Sequence, residues 1–252
     1  MPALGIIGGT GLASLHGLEN IRKQVIKTPY GEPSSPLTFG TLCGVEIVFL
    51  ARHGYGHTIP PHKINYRANA WALQKVGVTQ VVALAAVGGI HKSMAPTQLV
   101  IPDQLIDYSW GRVSSFFEDE LDHVVHIDFT NPYSSNLRTQ LCAAIEVAQL
   151  PLLDKAVYAC TQGPRLETAA EIKKLERDGC DLVGMTGMPE AALACELKME
   201  YACCAVVVNW AAGIDGDVID MKDIEAHIEA GMRKVNKLLI ALTRNRQALA
   251  VS

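Results

Sequence analysis

Short runs of β-branched and aliphatic residues punctuate the chain at Leu4 to Ile7, Val45 to Leu50, Gln80 to Val87, Leu99 to Ile101, Ala156 to Cys160, Leu182 to Gly184 and Cys203 to Val208. These runs are close to continuously apolar and do not alternate, the pattern of strands covered on both faces. Between them, apolar positions recur at helical spacing over Asn65 to Lys75, Ser134 to Gln149, Thr168 to Arg177, Glu190 to Glu200 and, longest, Met221 to about Thr243. Buried strands alternating with amphipathic helices predict an α/β fold with a central mixed β-sheet flanked by helices. No repeat, low-complexity tract or Gly/Ser linker breaks the pattern, and the loop-rich stretch from Ile106 to Tyr133 carries its own aromatics. Residues 1–252 therefore read as a single domain.

Composition narrows the partners. With 49% apolar and 19% charged residues the chain can bury a sizeable core, unlike a disordered scaffold. Twenty-two Lys and Arg against 26 Asp and Glu give a net charge of −4, so no global basic field gathers phosphate backbones or anionic lipids. Neither nucleic acid nor a membrane is expected as a partner. The start MPALGIIGG lacks the basic opening and long apolar core of a secretion signal, and the expectation is a soluble, cytoplasmic protein. Cys43, Cys142, Cys160, Cys180, Cys195, Cys203 and Cys204 form an odd set without C-x-x-C or zinc spacing. They read as reduced thiols, with Cys203 and Cys204 as small buried hydrophobes.

Ligands of an open α/β sheet gather beyond the carboxyl ends of the strands, so the segments that follow each strand carry the candidate chemistry. The first is GIIGGTGL, whose glycines admit an anion close to the backbone and whose Thr10 adds a hydroxyl. A dinucleotide fingerprint fails there because Ser14 stands where the third glycine belongs. The second, ARHGYGHTIPPHKINYRAN, crowds Arg52, His53, His57, His62, Lys63 and Arg67 together. Its glycines and prolines prevent the regular helix that a His-x-x-x-His metal pair needs, whereas Arg52 beside His53 suits a phosphate as a pair of donors. A basic solvated loop is the alternative.

In CTQGPRLETAAEI, Glu167 is either a ligand carboxylate or a helix-start residue favoured by the dipole. VGMTGMPEAALA offers Thr186 and amides ahead of a Pro-led helix. In VVVNWAAGID, Asn209 emerges from an apolar strand as a ligand reader or a satisfied turn residue. With no Ser-His-Asp order, nucleophile elbow, Walker loop or C-x-x-C, positioned donors around an anion remain.

These segments, in this order, resemble the trimeric purine nucleoside phosphorylase and methylthioadenosine phosphorylase family over nearly the whole chain. Members join inorganic phosphate to C1′ of a purine nucleoside and release the base, with no metal or coenzyme. The resemblance implies that Thr10, Arg52, His53 and Thr186 hold phosphate together with the backbone at Ala85 and Ala86. It also implies that Met185 packs under the ribose, and that His126 of HVVHIDF reaches the sugar pocket of a neighbouring subunit in a homotrimer with shared sites. One departure stands out, since the methylthioadenosine branch has Thr where this chain has Ala85.

Two further positions bear on the substrate. Family members that take adenine carry Asp where this chain has Asn209 and Ala211, on either side of Trp210, all three being expected against the substrate, whereas 6-oxopurine members pair the Asn with a Glu after the Gly-Pro turn, here Glu167. A carboxylate accepts the N1–H of hypoxanthine but meets a lone pair on adenine N1, and an amide both donates to O6 and accepts from a protonated N7. Asn209, Glu167 and His53 are thus the expected catalytic residues. Ordinary 6-oxopurine members place a His against the 5′-hydroxyl, and counting back from Gly231 puts Ile224 there. An Ile suits a methylthio group, unless it is merely a core position of an amphipathic helix. The expectation is phosphorolysis of a 5′-methylthio 6-oxopurine nucleoside. A methylthioadenosine or general inosine/guanosine phosphorylase, a binding module without turnover, and a dehydrogenase are the alternatives.

Overall fold

The long run from Val78 to Gly89 is the central strand of a ten-stranded mixed sheet in the computed structural model, which describes residues 3–9, 17–118, 122–215 and 220–251. The strands are β1 (Ala3–Gly8), β2 (Glu19–Gln24), β3 (Leu37–Leu42), β4 (Val45–Ala51), β5 (Val78–Gly89), β6 (Leu99–Val100), β7 (Gln104–Asp107), β8 (Val157–Cys160), β9 (Leu182–Gly184) and β10 (Glu200–Trp210). The helices are α1 (Tyr66–Lys75), α2 (Ser135–Val147), α3 (Ala169–Arg177), α4 (Glu190–Glu196) and α5 (Met221–Val251).

Burial on both faces explains the apolar strands. Along β5, Val81, Ala83 and Ala85 join one core and Val82 and Leu84 the other. In β10, Cys203 and Cys204 point into opposite cores, 1% and 0% exposed. Helices α2 and α5 cover one face and α1 and α4 the other, while α3 packs Ile172 and Leu175 against Ala159 and Val183.

Every predicted strand and helix is present, with differences at the ends. Helix α4 stops at Glu196 because Glu200 already belongs to β10. Helix α5 continues past Thr243 to Val251, and its buried Arg246 reaches Gln80 and Gln140 side chains beneath the sheet. Strands β2, β3 and β7 go beyond the predicted set. In β2 all six residues of ENIRKQ are exposed, so this sheet-edge strand offers no apolar signal to read.

The sheet opens in one place. On one edge β5 pairs with β10 from Gln80 to Gly89. On the other it pairs in parallel with β1 only as far as Ala83, then antiparallel with β9 at Gly88 and Gly89. Residues 84–87 lie between the two partners, so a cleft opens beyond the ends of β1 and β4, at a switch point of the topology.

Candidate active site

A cavity of about 660 Å³ occupies this opening. Its walls come from the loop after β4, the ends of β5, β9 and β10, the turns after β8 and β9, and the first turns of α5. Of the residues singled out from the sequence, His53, Ala86, Glu167, Met185, Thr186, Asn209, Ala211 and Ile224 line it together.

Two close approaches shape the rim. A Cβ on Gly9 would lie 2.5 Å from the Leu84 carbonyl oxygen, so only glycine lets the loop after β1 settle over β5. Gly163 has φ +59°, and a Cβ there would meet Met185 Sδ at 2.4 Å, so the Gly-Pro turn reaches the β9 turn only through a glycine.

The loop after β4 departs from the expected pair of phosphate donors. Arg52 is 1% exposed and does not line the cavity. Its Nε and Nη2 donate to the Glu190 carboxylate at 2.7 and 2.8 Å, and its Nη1 donates to the Leu84 carbonyl at 2.8 Å. Burial alone would lower its pKa, but the bidentate pair with Glu190 overrides this and holds it above the ordinary value. The fork faces Glu190 because a buried guanidinium requires a carboxylate partner. Among the described residues, one N–H on Nη1 and one on Nη2 have no acceptor, with Nη1 lying beneath Gly9.

His53 differs as well. Its Nδ1 lies 2.8 Å from the Ile59 carbonyl oxygen, which only accepts, so Nδ1 carries the proton. Burial, and next the positive Arg52, push the imidazole from 6.5 down to about 4. The ring is neutral near pH 7 and its Nε2 presents a lone pair, so it can accept a hydrogen bond and is no cationic donor. A stability signature follows. Between about 6.5 and about 4 the unfolded chain binds a proton that the native ring refuses, so this site lowers stability as pH falls through that window and is silent above it. Thermal melts from pH 7.5 to 4.5 should show a shallower acid loss for His53→Gln than for the unaltered protein; parallel curves would remove the assignment.

The residues expected to read the base are held with capacity to spare. Thr161 Oγ1 donates to Glu167 Oε1 at 2.6 Å, which leaves Oε2 without a protein donor among the described residues. Asn209 Nδ2 donates to the Trp210 carbonyl at 2.6 Å, which leaves one amide N–H and Oδ1 without a partner among the described residues. Asn209, near the end of β10, and Ala211, just past it, line the cavity together with Val208 and Ala212, while Trp210, expected against the substrate, is not part of the wall. Ala85 likewise projects into the core, 5% exposed, so any contribution there is through its backbone.

Thr186 is 7% exposed on the cavity wall. Ile224 stands with Met221 and Ile228 as an apolar stripe at helical spacing, secured by the His227 ring, whose Nδ1 lies 2.8 Å from the Val208 carbonyl. His126 is exposed and outside this cavity, and Thr10 lies outside the described residues. Sequence reasoning missed Met221 and Ile228, which the i−3 and i+4 spacing around Ile224 could have supplied. It also missed Glu190, the last residue of MTGMPE, as the partner of Arg52.

Burial pushes the Cys160 and Cys204 thiols up to about 12, which removes both as thiolate nucleophiles near pH 7. No helix among the described residues is long and apolar enough to cross a membrane.

Known proteins share this sequence and this fold. Residues 3–244 match the model of the phosphorylase superfamily. A probable S-methyl-5′-thioinosine phosphorylase of Pseudomonas syringae pv. tomato is 55% identical over 240 residues, spanning 95% of this chain and 97% of that protein. A 6-oxopurine nucleoside phosphorylase of Pyrococcus furiosus is 44% identical over 246 residues, spanning 96% and 92%. Among solved structures, methylthioadenosine phosphorylase from Schistosoma mansoni in complex with adenine superposes with a TM-score of 0.93 at 28% identity, covering 98% of this chain and 93% of that one. The chain belongs to the phosphorylase superfamily.

Proposed function

We propose that this phosphorylase cleaves 5′-methylthioinosine with inorganic phosphate, releasing hypoxanthine and 5-methylthioribose 1-phosphate without a metal or coenzyme. One observation carries the reading: Glu167 and Asn209, matched to a 6-oxopurine, share a cavity with the apolar stripe Met221, Ile224 and Ile228. Relatives named for methylthioinosine and for 6-oxopurine nucleosides support both halves of it.

In this reading phosphate lies among Thr186, the Ala86 backbone, the His53 Nε2 acceptor and the remaining N–H groups of Arg52, with the Thr10 hydroxyl added by its place in GIIGGTGL. A phosphate oxygen bonds to C1′ as the C1′–N9 bond breaks and its electron pair passes to the purine. Positive charge develops on the sugar and is balanced by the phosphate poised beneath it. Glu167 Oε2 accepts N1–H, the free Asn209 N–H donates to O6, and Asn209 Oδ1 accepts from N7–H once a proton from solvent neutralises the departing purine anion. Met185 supports the ribose.

A 5′-hydroxyl beside Ile224 would lose a partner at ~1 to 3 kcal/mol, whereas a methylthio group buries apolar area at ~25 cal/mol per Å². Measured kcat/KM should therefore rank methylthioinosine above inosine and above methylthioadenosine, and vanish without phosphate. Ile224→His should raise kcat/KM for inosine ~10-fold or more relative to methylthioinosine. Inosine already preferred by the unaltered enzyme would leave a general nucleoside phosphorylase; no change with Ile224→His would remove the proposed cause.

The assembly we infer is a homotrimer in which His126 enters a neighbour's sugar pocket. Supporting this, His126 is exposed outside its own cavity and follows Val124 and Val125, 71% and 36% exposed, with Trp110 at 72% in the same long loop. A monomeric mass in light scattering would refute it. The seven free thiols fit a cytoplasmic setting.

A further inference from the structure

Arg112 lies in the long loop between β7 and α2, outside the cavity, yet its guanidinium gathers the backbone of both turns that frame it. Nη2 donates to the carbonyls of Thr161 at 3.1 Å and Gln162 at 2.8 Å, in the turn after β8. Nη1 donates to the Met185 carbonyl at 2.9 Å and to that of Met188, in the turn after β9. Nε donates to the Gln162 side-chain oxygen at 3.2 Å, and the guanidinium carbon lies 5.6 Å from the centre of the Tyr66 ring.

The two turns carry different duties in the proposed reaction, on which this inference rests. The first leads to Glu167, and Thr161 itself holds the Glu167 carboxylate through its hydroxyl. The second contains Met185, whose own carbonyl is clamped, and Thr186, which lies between the clamped carbonyls of Met185 and Met188. Strands β8 and β9 set the spacing of these turns only as far as Cys160 and Gly184, where their pairing ends. Beyond that point Arg112 bridges them.

We propose that Arg112 is a positioning residue that fixes the base-reading carboxylate relative to the ribose and phosphate groups. A planar fork suits this task because its donors diverge in fixed directions toward several carbonyls, which the point charge of a lysine cannot reproduce. Loss of the clamp lets the turns drift, and a displacement of about 1 Å in such a site can lower rate by about 100-fold.

The test compares Arg112→Lys and Arg112→Ala with the unaltered enzyme as folded protein, by kinetics on 6-oxo and 6-amino nucleosides and by calorimetry with hypoxanthine and phosphate. We expect kcat/KM to fall about 100-fold in both variants. KM for nucleoside and phosphate should rise together, discrimination between the two bases should shrink, and added guanidinium should partly restore Arg112→Ala but not Arg112→Lys. Full activity in Arg112→Lys overturns the proposal, as does activity that falls only with the folded fraction while kcat, KM and base discrimination stay unchanged. If Arg112→Ala does not fold, Arg112→Lys carries the test; if neither folds, Arg112 is a stability residue and the proposal is lost. Should the unaltered protein cleave no nucleoside, the functional reading fails, while hypoxanthine and phosphate affinities still judge Arg112.

Discussion

Glu167→Gln should lower kcat/KM for the 6-oxopurine nucleoside by about 10³- to 10⁴-fold while leaving, or raising, that for the 6-amino analogue. The asymmetry comes from donors and acceptors. Glu167 Oε1 already accepts from Thr161 at 2.6 Å, so in the proposed reading the second oxygen is the one that meets N1. In Glu167→Gln the Thr161 hydroxyl still has a carbonyl oxygen to hold, which turns the amide NH₂ toward the base. That group faces the N1–H of hypoxanthine with a clash of donors but finds a lone pair on adenine N1. An equal loss on both nucleosides would mean that Glu167 only supports the turn, and the base-reading role would be withdrawn.

The second large effect concerns stability. Glu190→Ala should destabilise the fold by about 3 to 5 kcal/mol, because it strands the Arg52 guanidinium, 1% exposed, without its bidentate partner. The Tyr201 hydroxyl, which donates to Glu190 Oε1 at 2.8 Å, loses its acceptor in the same change. At about 2 to 4 °C per kcal/mol for a chain of this size, the melting temperature should drop by about 10 °C. Replacing both partners, as Arg52→Met with Glu190→Leu, should recover much of that stability, since the buried charge and its partner leave together, and on the proposed role of Arg52 it should also weaken phosphate binding. A single substitution that melts like the unaltered protein would show that the pair is not buried as described.

The chain's order of strands and helices was legible because burial on both sheet faces imposes continuous apolar runs, and helical packing imposes a 3.6-residue period. Strand β2 was illegible for the same reason, since an exposed edge strand has no apolar face to display. Within the site, Asn209 and Ala211 could be read from linear motifs because they sit at the carboxyl end of an apolar strand, where ligands of an open α/β sheet gather. The family resemblance joined those motifs into one pocket before any coordinates placed them there.

Sequence by itself thus determined the α/β pattern, the strand-end location of the candidate chemistry and the donor and acceptor types offered to a purine. Tertiary structure alone decided how those groups are shared. Arg52 and Glu190 are 138 residues apart, and their contact turns a supposed free phosphate fork into a buried pair with residual N–H groups. The Ile59 carbonyl sets the His53 tautomer, and Arg112 reaches over 49 to 76 positions to tie two turns together. The physical reason is common to all three. Each side chain's hydrogen-bonding capacity is finite, and only the three-dimensional neighbours determine which part of it is occupied and which part remains for a ligand.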